Sequence, residues 1–386
     1  MVFKNLFKDY IYPVAVFSGG MIGVGFLSLP YIAMKSGIWI MLAYFFIATF
    51  LITKIHLVFC EISLKTPDFK RIPGFVGHYL GKKAEIFTLF LTVIGTFGVL
   101  LAYLIVAGDF LTAALQPIFH AGPLVYVFFY FALVTAIIYF DIKTIAKVEF
   151  WVLVLLFLSI IFIFLESFSH IKLSNIFPLS GIPLGGTNLF LPYGPMLFAL
   201  WGAGMIPEVE EMLAASPQGK KRLKKIVVIS TIIIAVFYFL FTLLILGLTG
   251  AQTDSVALTG LKNVLGSNLV LVSLLIGAAA TFTAFVSQGI ILKKTLVYDL
   301  GIKHWQALVM TCFTPMILFL LGLKNFIPIL SFVGAIILGI YGILILLMYK
   351  KIACLPAGRA KKNIVIYSLS LVFLLGIIYE IIHFIK

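Results

Sequence analysis

One feature limits this chain more than any other: long, largely apolar runs recur from one end to the other. A helix needs ~20 such residues to cross the hydrocarbon core of a bilayer. Runs that qualify fall at 11–34, 38–60, 86–115, 124–141, 148–166, 189–206, 226–249, 268–292, 305–322, 326–349 and 363–383. Lipid offers no partner to an exposed peptide group, so the runs must be helices. Their length and their lack of period-two alternation exclude strands. Composition agrees, with 62% of residues hydrophobic and 11% charged. A soluble domain averages roughly 45–50% apolar and about 25% charged. The expected fold is an all-α polytopic membrane protein, a single transmembrane domain over 1–386 with about eleven spans.

Charge sets the expected orientation. If odd-numbered spans run outward, 23 of the 28 Lys and Arg residues fall on the cytoplasmic side. Lys35, Lys172, Lys262, Lys324 and Lys386 stay outside. This bias alternates through every loop, as the positive-inside rule requires. It puts the N-terminus in the cytoplasm and the C-terminus outside, in a plasma (inner) membrane. The sizeable outer loops are 167–188 and 250–267, and short loops elsewhere favour a prokaryotic origin. The first run leads into a second span after a short turn, so it reads as a retained helix and not a signal peptide. The net charge of +14 sits in short clusters between apolar runs, which argues against a nucleic-acid partner. Cys60, Cys312 and Cys354 show neither a disulfide framework nor metal-ligand spacing, so no cofactor is expected.

Two spans cannot be plain helices. The first carries Gly19, Gly20, Gly23 and Gly25 in its middle, each costing a helix ~1 kcal/mol relative to Ala, and Pro30 follows. Close helix packing is the plainer explanation of such glycines. The sharper one is a broken helix whose freed amides, around Met21, Ile22, Gly23, Val24 and Gly25, receive a carboxylate while freed carbonyls receive a cation. The sixth span repeats the theme: Pro192 and Pro195 open it, Leu200-Trp201-Gly202-Ala203-Gly204 lie at its centre, and Pro207 closes it. A kinked structural helix is the alternative there. Interruptions in the first and sixth spans are what two inverted repeats of five spans predict, with binding at the midplane. The repeats would cover 11–166 and 189–349, with 363–383 appended.

At these residues the chain resembles the amino acid/auxin permease family and the related hydroxy/aromatic amino acid permeases. Both belong to the amino acid–polyamine–organocation superfamily with the LeuT fold. Gly23 to Pro30 is similar to the first-helix pattern G-S-G-[IL]-L-x-L-P. Phe75 to Lys83 resembles the loop before the third helix, and Ala102 to Asp109 the third helix itself. Leu197 to Gly202, with Ile206-Pro207-Glu208, resembles the sixth. Thr283-Ala284-Phe285, Leu292-Lys293-Lys294 and Asp299-Leu300-Gly301 resemble the eighth and its exit. Val24 and Ala284 stand where relatives often carry Ser. In sodium-coupled relatives hydroxyls at the Ala284 position help to hold the ion, so its loss leaves proton coupling open.

The resemblance implies a secondary transporter of amino acids working by alternating access, with H⁺ or Na⁺ as coupling ion. The expected substrate contacts are the first-span residues above, Tyr103 of the third span, and Phe198, Ala199, Leu200, Trp201 and Gly202 of the sixth. Tyr103 implies a contact to substrate or a closing lid, against a plain interhelical hydrogen bond. The expected ion contacts are Gly19, Gly20, Ala280, Thr281 and Thr283, against tight packing with each Thr bonded to its own helix. With no ionisable residue placed at the midplane, the substrate is expected to be a neutral amino acid, apolar or aromatic. His56 is the candidate titrating group. Glu208 is a candidate cytoplasmic gate, against a solvated loop. No metalloprotease, paired-aspartate or nucleophile pattern points to an enzyme, and no filter repeat points to a channel. An exchanger or a solute sensor on the same scaffold stays open.

Overall fold

The structure is a computed structural model that describes residues 10–67, 70–140, 145–177, 189–214, 219–265, 268–352 and 359–385. Lys143, Cys354 and residues 178–188 of the expected outer loop at 167–188 lie outside them. Every predicted run carries helix, and the described residues contain no strand. Among the described residues, seven helices are long and apolar enough to cross a membrane, or eight if the bent pair of the first span counts as one. The expectation of about eleven is not met by that measure, for identifiable reasons. The sixth run is cut into two eight-residue helices, Tyr193–Leu200 and Ile206–Leu213. The fifth counts only over Val154–His170 and the ninth over His304–Leu320, and both fall just short.

Glycine shapes the turns between spans. Gly37 (φ 90°) separates the first span from Ile38–Ser63, and Gly81 (φ 94°) precedes the third span, Lys82–Phe119. Side chains with a Cβ rarely adopt such angles. Between the second and third spans the sequence suggests a loop at 75–83. The structure instead forms a helix, Ile72–Leu80, with Pro73 in its first turn and Gly81 ending it. Nine residues are too few to cross a membrane, so no long apolar run marks this helix.

The third span packs along the eighth, Asn268–Lys294, and the eighth along the fifth, Ile145–Ser167. The seventh, Gly219–Thr249, touches the first and second. The first half of the sixth, Tyr193–Leu200, lies on a π-helical stretch of the tenth, Phe332–Leu338. Of the helices long enough to span, that tenth helix is the most buried and the last, ending at Ile385, the least. Large apolar side chains such as Phe46, Phe90, Trp151 and Leu321 face outward. Patches of that extent are untenable in water and natural in lipid.

Candidate functional site

The first span breaks where its glycines cluster. Helix Tyr12–Met21 ends, Ile22 and Gly23 are extended, and a 3₁₀ turn over Val24–Ser28 leads into helix Leu29–Ser36. The two halves are bent by 54°. Pro30 sits in the first turn of the second half, where its missing N–H costs nothing. Tyr238 of the seventh span donates its hydroxyl to the carbonyl of Met21 at 3.3 Å, so the cut end is partnered.

The sixth span breaks in the same way. Helix Tyr193–Leu200 ends at an extended Trp201, Gly202 follows, and a short 3₁₀ turn over Ala203–Met205 leads into Ile206–Leu213. The freed Gly202 amide donates to Nε2 of His56 at 3.0 Å. His56 is fully buried, and its Nδ1 lies 3.3 Å from Oγ1 of Thr231. That hydroxyl gives its own proton to the Val227 carbonyl at 2.8 Å. The ring is thereby fixed as a neutral imidazole with Nδ1–H and a bare Nε2. Sequence depth suggests the cytoplasmic part of the second span for His56; the structure makes it the clasp of a broken helix.

The two breaks interlock. Met205 of the sixth covers Gly20 of the first, where a Cβ would meet its side chain. Met21 of the first covers Gly202 of the sixth, its Cγ 2.6 Å from where a Cβ would stand. Gly25 faces the ring of Phe198 in the same manner, also at 2.6 Å.

A cavity of about 410 Å³, counting its mouth, opens against the first-span break. Ile22, Gly23 and Val24 form one wall and Tyr103 another, with Ala280, Thr281 and Ala284 of the eighth span opposite. The remaining walls are apolar: Phe26, Leu27, Phe110, Leu156, Leu258 and Gly277. Thus the structure brings Ile22, Gly23, Val24 and Tyr103 together with Ala280 and Thr281. It does not bring Met21, Gly25, Phe198, Ala199, Leu200, Trp201 or Gly202 into that cavity, because they pack the two broken helices against each other. Trp201 lies edge-on to His56, with ring centroids 6.2 Å apart.

Of the expected ion contacts, Gly19, Gly20 and Thr283 do not line the cavity. Thr281 and Thr283 donate to the carbonyls of Ala278 and Ala280 in their own helix, at 2.8 and 3.0 Å. A hydroxyl that donates in this way keeps its acceptor lone pairs. Among the described residues no cluster of three His, Cys, Asp or Glu side chains could hold a metal.

A second, larger opening enters from the end of the bundle that carries Lys70, Arg71, Lys82 and Lys294, with about 2280 Å³ of space counting the part open to solvent. Glu208 lies in its wall, and Gly204 and Met205 mark its depth. There Thr92 and Tyr341 hydrogen-bond across the third and tenth spans at 2.6 Å. Beside it Lys224 pairs with Glu61 at 2.8 Å, and Ser63 donates to Glu210. Met205 therefore reaches the vestibule, while Ile22, next to Met21, reaches the cavity.

Two paired broken helices, a buried cavity at one break and a solvent-open vestibule below the other are the parts of a LeuT-fold transporter. Solved structures agree. The transporter MhsT in complex with L-phenylalanine matches with TM-score 0.64 and 16% identity, over 96% of this chain and 97% of that one. A manganese transporter of Eremococcus coleocola, in complex with an aromatic bis-isothiourea substituted compound, matches with TM-score 0.66 and 14% identity, over 100% and 89%. Mhp1, a nucleobase-cation-symport-1 family transporter in a closed conformation with bromovinylhydantoin bound, gives TM-score 0.58 and 11% identity, over 96% and 90%. A search of curated protein sequences returns no significant match. Residues 10–386 match the family of transmembrane amino acid transporter proteins, and the chain belongs to that family.

Proposed function

We propose that this transporter carries a neutral amino acid, apolar or aromatic, by alternating access in symport with a proton. The observation that carries this reading is the lining of the cavity, which among the described residues contains no Asp, Glu, Lys, Arg or His. A cationic or acidic side chain would enter it without a counter-charge, at a cost that a buried pocket cannot recover. The two ends every free amino acid shares need no fixed charge. Amides at Gly23 and Val24 suit the carboxylate, because a helix start favours negative charge. Backbone carbonyls freed at the breaks and the Tyr103 and Thr281 oxygens suit the ammonium. Aromatic and branched walls then take the side chain.

Three further points support the mechanism. The basic end of the bundle is cytoplasmic by the positive-inside rule, so the vestibule opens inward and the structure stands in an inward-facing state. The N-terminus is then inside and the C-terminus outside, in the plasma (inner) membrane. Matching two-residue breaks at Ile22-Gly23 and Trp201-Gly202 fit inverted repeats over 11–166 and 189–349. Ala284, in the cavity wall, withholds a hydroxyl from a sodium site.

Uptake of labelled L-leucine and L-phenylalanine into proteoliposomes tests this. Accumulation is expected to follow an inward proton gradient and to persist when choline replaces Na⁺. No accumulation of either amino acid overturns the neutral-substrate reading. Collapse in choline assigns the coupling to Na⁺ instead, and Thr283→Ala is then expected to weaken it.

A further inference from the structure

The clasp between His56 and Gly202 has a property the transport reading does not require. The hydrogen bonds around this ring leave room for one acceptor only. Nε2 must be bare to receive the Gly202 amide, and Nδ1–H is committed to Thr231, whose own proton is on Val227. A second proton adds to the Nε2 lone pair and turns acceptor into donor. Two donors, Nε2–H and Gly202 N–H, would then face each other. Flipping the ring does not help, since both nitrogens of an imidazolium donate. The Gly202 amide would be left without a partner in a region where lipid and protein offer none.

We propose that His56 is a proton-operated latch on the sixth-span break: its neutral ring pins Gly202, and its protonated ring lets go. This rests on the transport reading above and gives that reading its coupling step.

The surroundings favour such a switch. Phe17 of the first span meets the ring edge-on at 5.6 Å and Trp201 of the sixth at 6.2 Å, and neither titrates. The seventh span presents Thr231, and the second span's own next turn carries Cys60, buried and free. Charged and titratable groups on the packed helices are engaged elsewhere: Glu61 pairs with Lys224 and meets Tyr349 of the tenth span, and Glu210 accepts from Ser63. Among the described residues no charge is paired with His56. An imidazolium there has nothing to hold it in place, so protonation disfavours the present arrangement outright. Solvent comes close to the break, because Gly204 and Met205, just beyond Gly202, line the solvent-open vestibule. His56 is thus a positioning residue: it acts on the break and is not in the cavity lining.

Trp201 supplies a readout that needs no substrate, since an imidazolium quenches an adjacent indole. The chain has four Trp, and Trp39, Trp151 and Trp305 are exposed. Replacing those three by Phe leaves Trp201 as the sole emitter. In proteoliposomes its emission is expected to fall on acidification, once protonation releases the clasp. His56→Gln should abolish that titration. It keeps an oxygen to accept from Gly202 but cannot release it on protonation, so binding of labelled L-leucine should survive while proton-driven, pH-dependent uptake is lost. His56→Ala removes the acceptor and should lower uptake at every pH. Emission that does not titrate, or titrates equally with His56→Gln, overturns the latch, as does an unchanged pH profile of uptake in His56→Gln. Failure of the parent protein to take up L-leucine counts against the substrate reading, and the Trp201 titration still decides the latch.

Discussion

Gly334→Ala is expected to abolish folded protein. In the tenth span a Cβ at this position would land on the carbonyl oxygen of Gly194 and 3.1 Å from the amide nitrogen of Phe198. Gly194 in turn sits with its missing Cβ 2.6 Å from the Cα of Ser331. Every obstacle is backbone, so no side chain is able to swing aside. Ordinary overpacking costs ~1–3 kcal/mol, and this contact should exceed that because the first half of the sixth span must move as a body. The tenth span is π-helical over Phe332–Leu338, the arrangement that lets Gly334 approach so closely. Size-exclusion profiles of detergent-solubilised variants check it. Gly204→Ala is the control, since nothing lies within 4 Å of its missing Cβ and the variant should be well behaved.

Gly23→Leu is expected to give a folded protein that binds nothing. A Cβ on Gly23 meets only the Tyr103 hydroxyl, at 3.3 Å, and the backbone there is extended with φ −122°. The new side chain would therefore occupy the cavity between the first and third spans. Stability should fall by about 1–3 kcal/mol, the cost of ordinary overpacking. Uptake should fall at least about a hundredfold, equivalent to about 2.7 kcal/mol of lost binding. Gly25→Leu should do the reverse, because its Cβ would strike Phe198 at 2.6 Å and the Cα of Ala199 at 3.1 Å. That variant should lose thermal stability first. If Gly23→Leu transports normally, the cavity is not the binding site.

The contrast between these two glycines shows what the sequence discloses and what it hides. Glycine and proline in an apolar run announce a broken helix through backbone chemistry alone, so both breaks were legible to within a residue or two. Which way each broken residue faces depends on partners far along the chain. Gly23 turns to the third span and Gly25 to the sixth, and no local pattern separates them. The cavity walls were equally hidden. Phe26, Phe110, Leu156 and Leu258 are apolar residues among a great many, including 38 Phe. Tyr238 carried no signal, since its bond to Met21 spans 217 positions. His56 stood out as a polar residue in an apolar run, yet only the fold shows it reaching a freed amide 146 positions away. The reciprocal packing of Met21 on Gly202 and Met205 on Gly20 was invisible for the same reason.

The central claim is that the cavity at the first-span break selects a neutral amino acid. A competition panel against labelled L-leucine bound to the purified protein tests it most directly. L-Phenylalanine, L-tryptophan and unlabelled L-leucine should displace the label, L-arginine and L-glutamate should not, and Gly23→Leu should bind none of it. Displacement by L-arginine or L-glutamate that matches or exceeds the neutral amino acids would contradict the account.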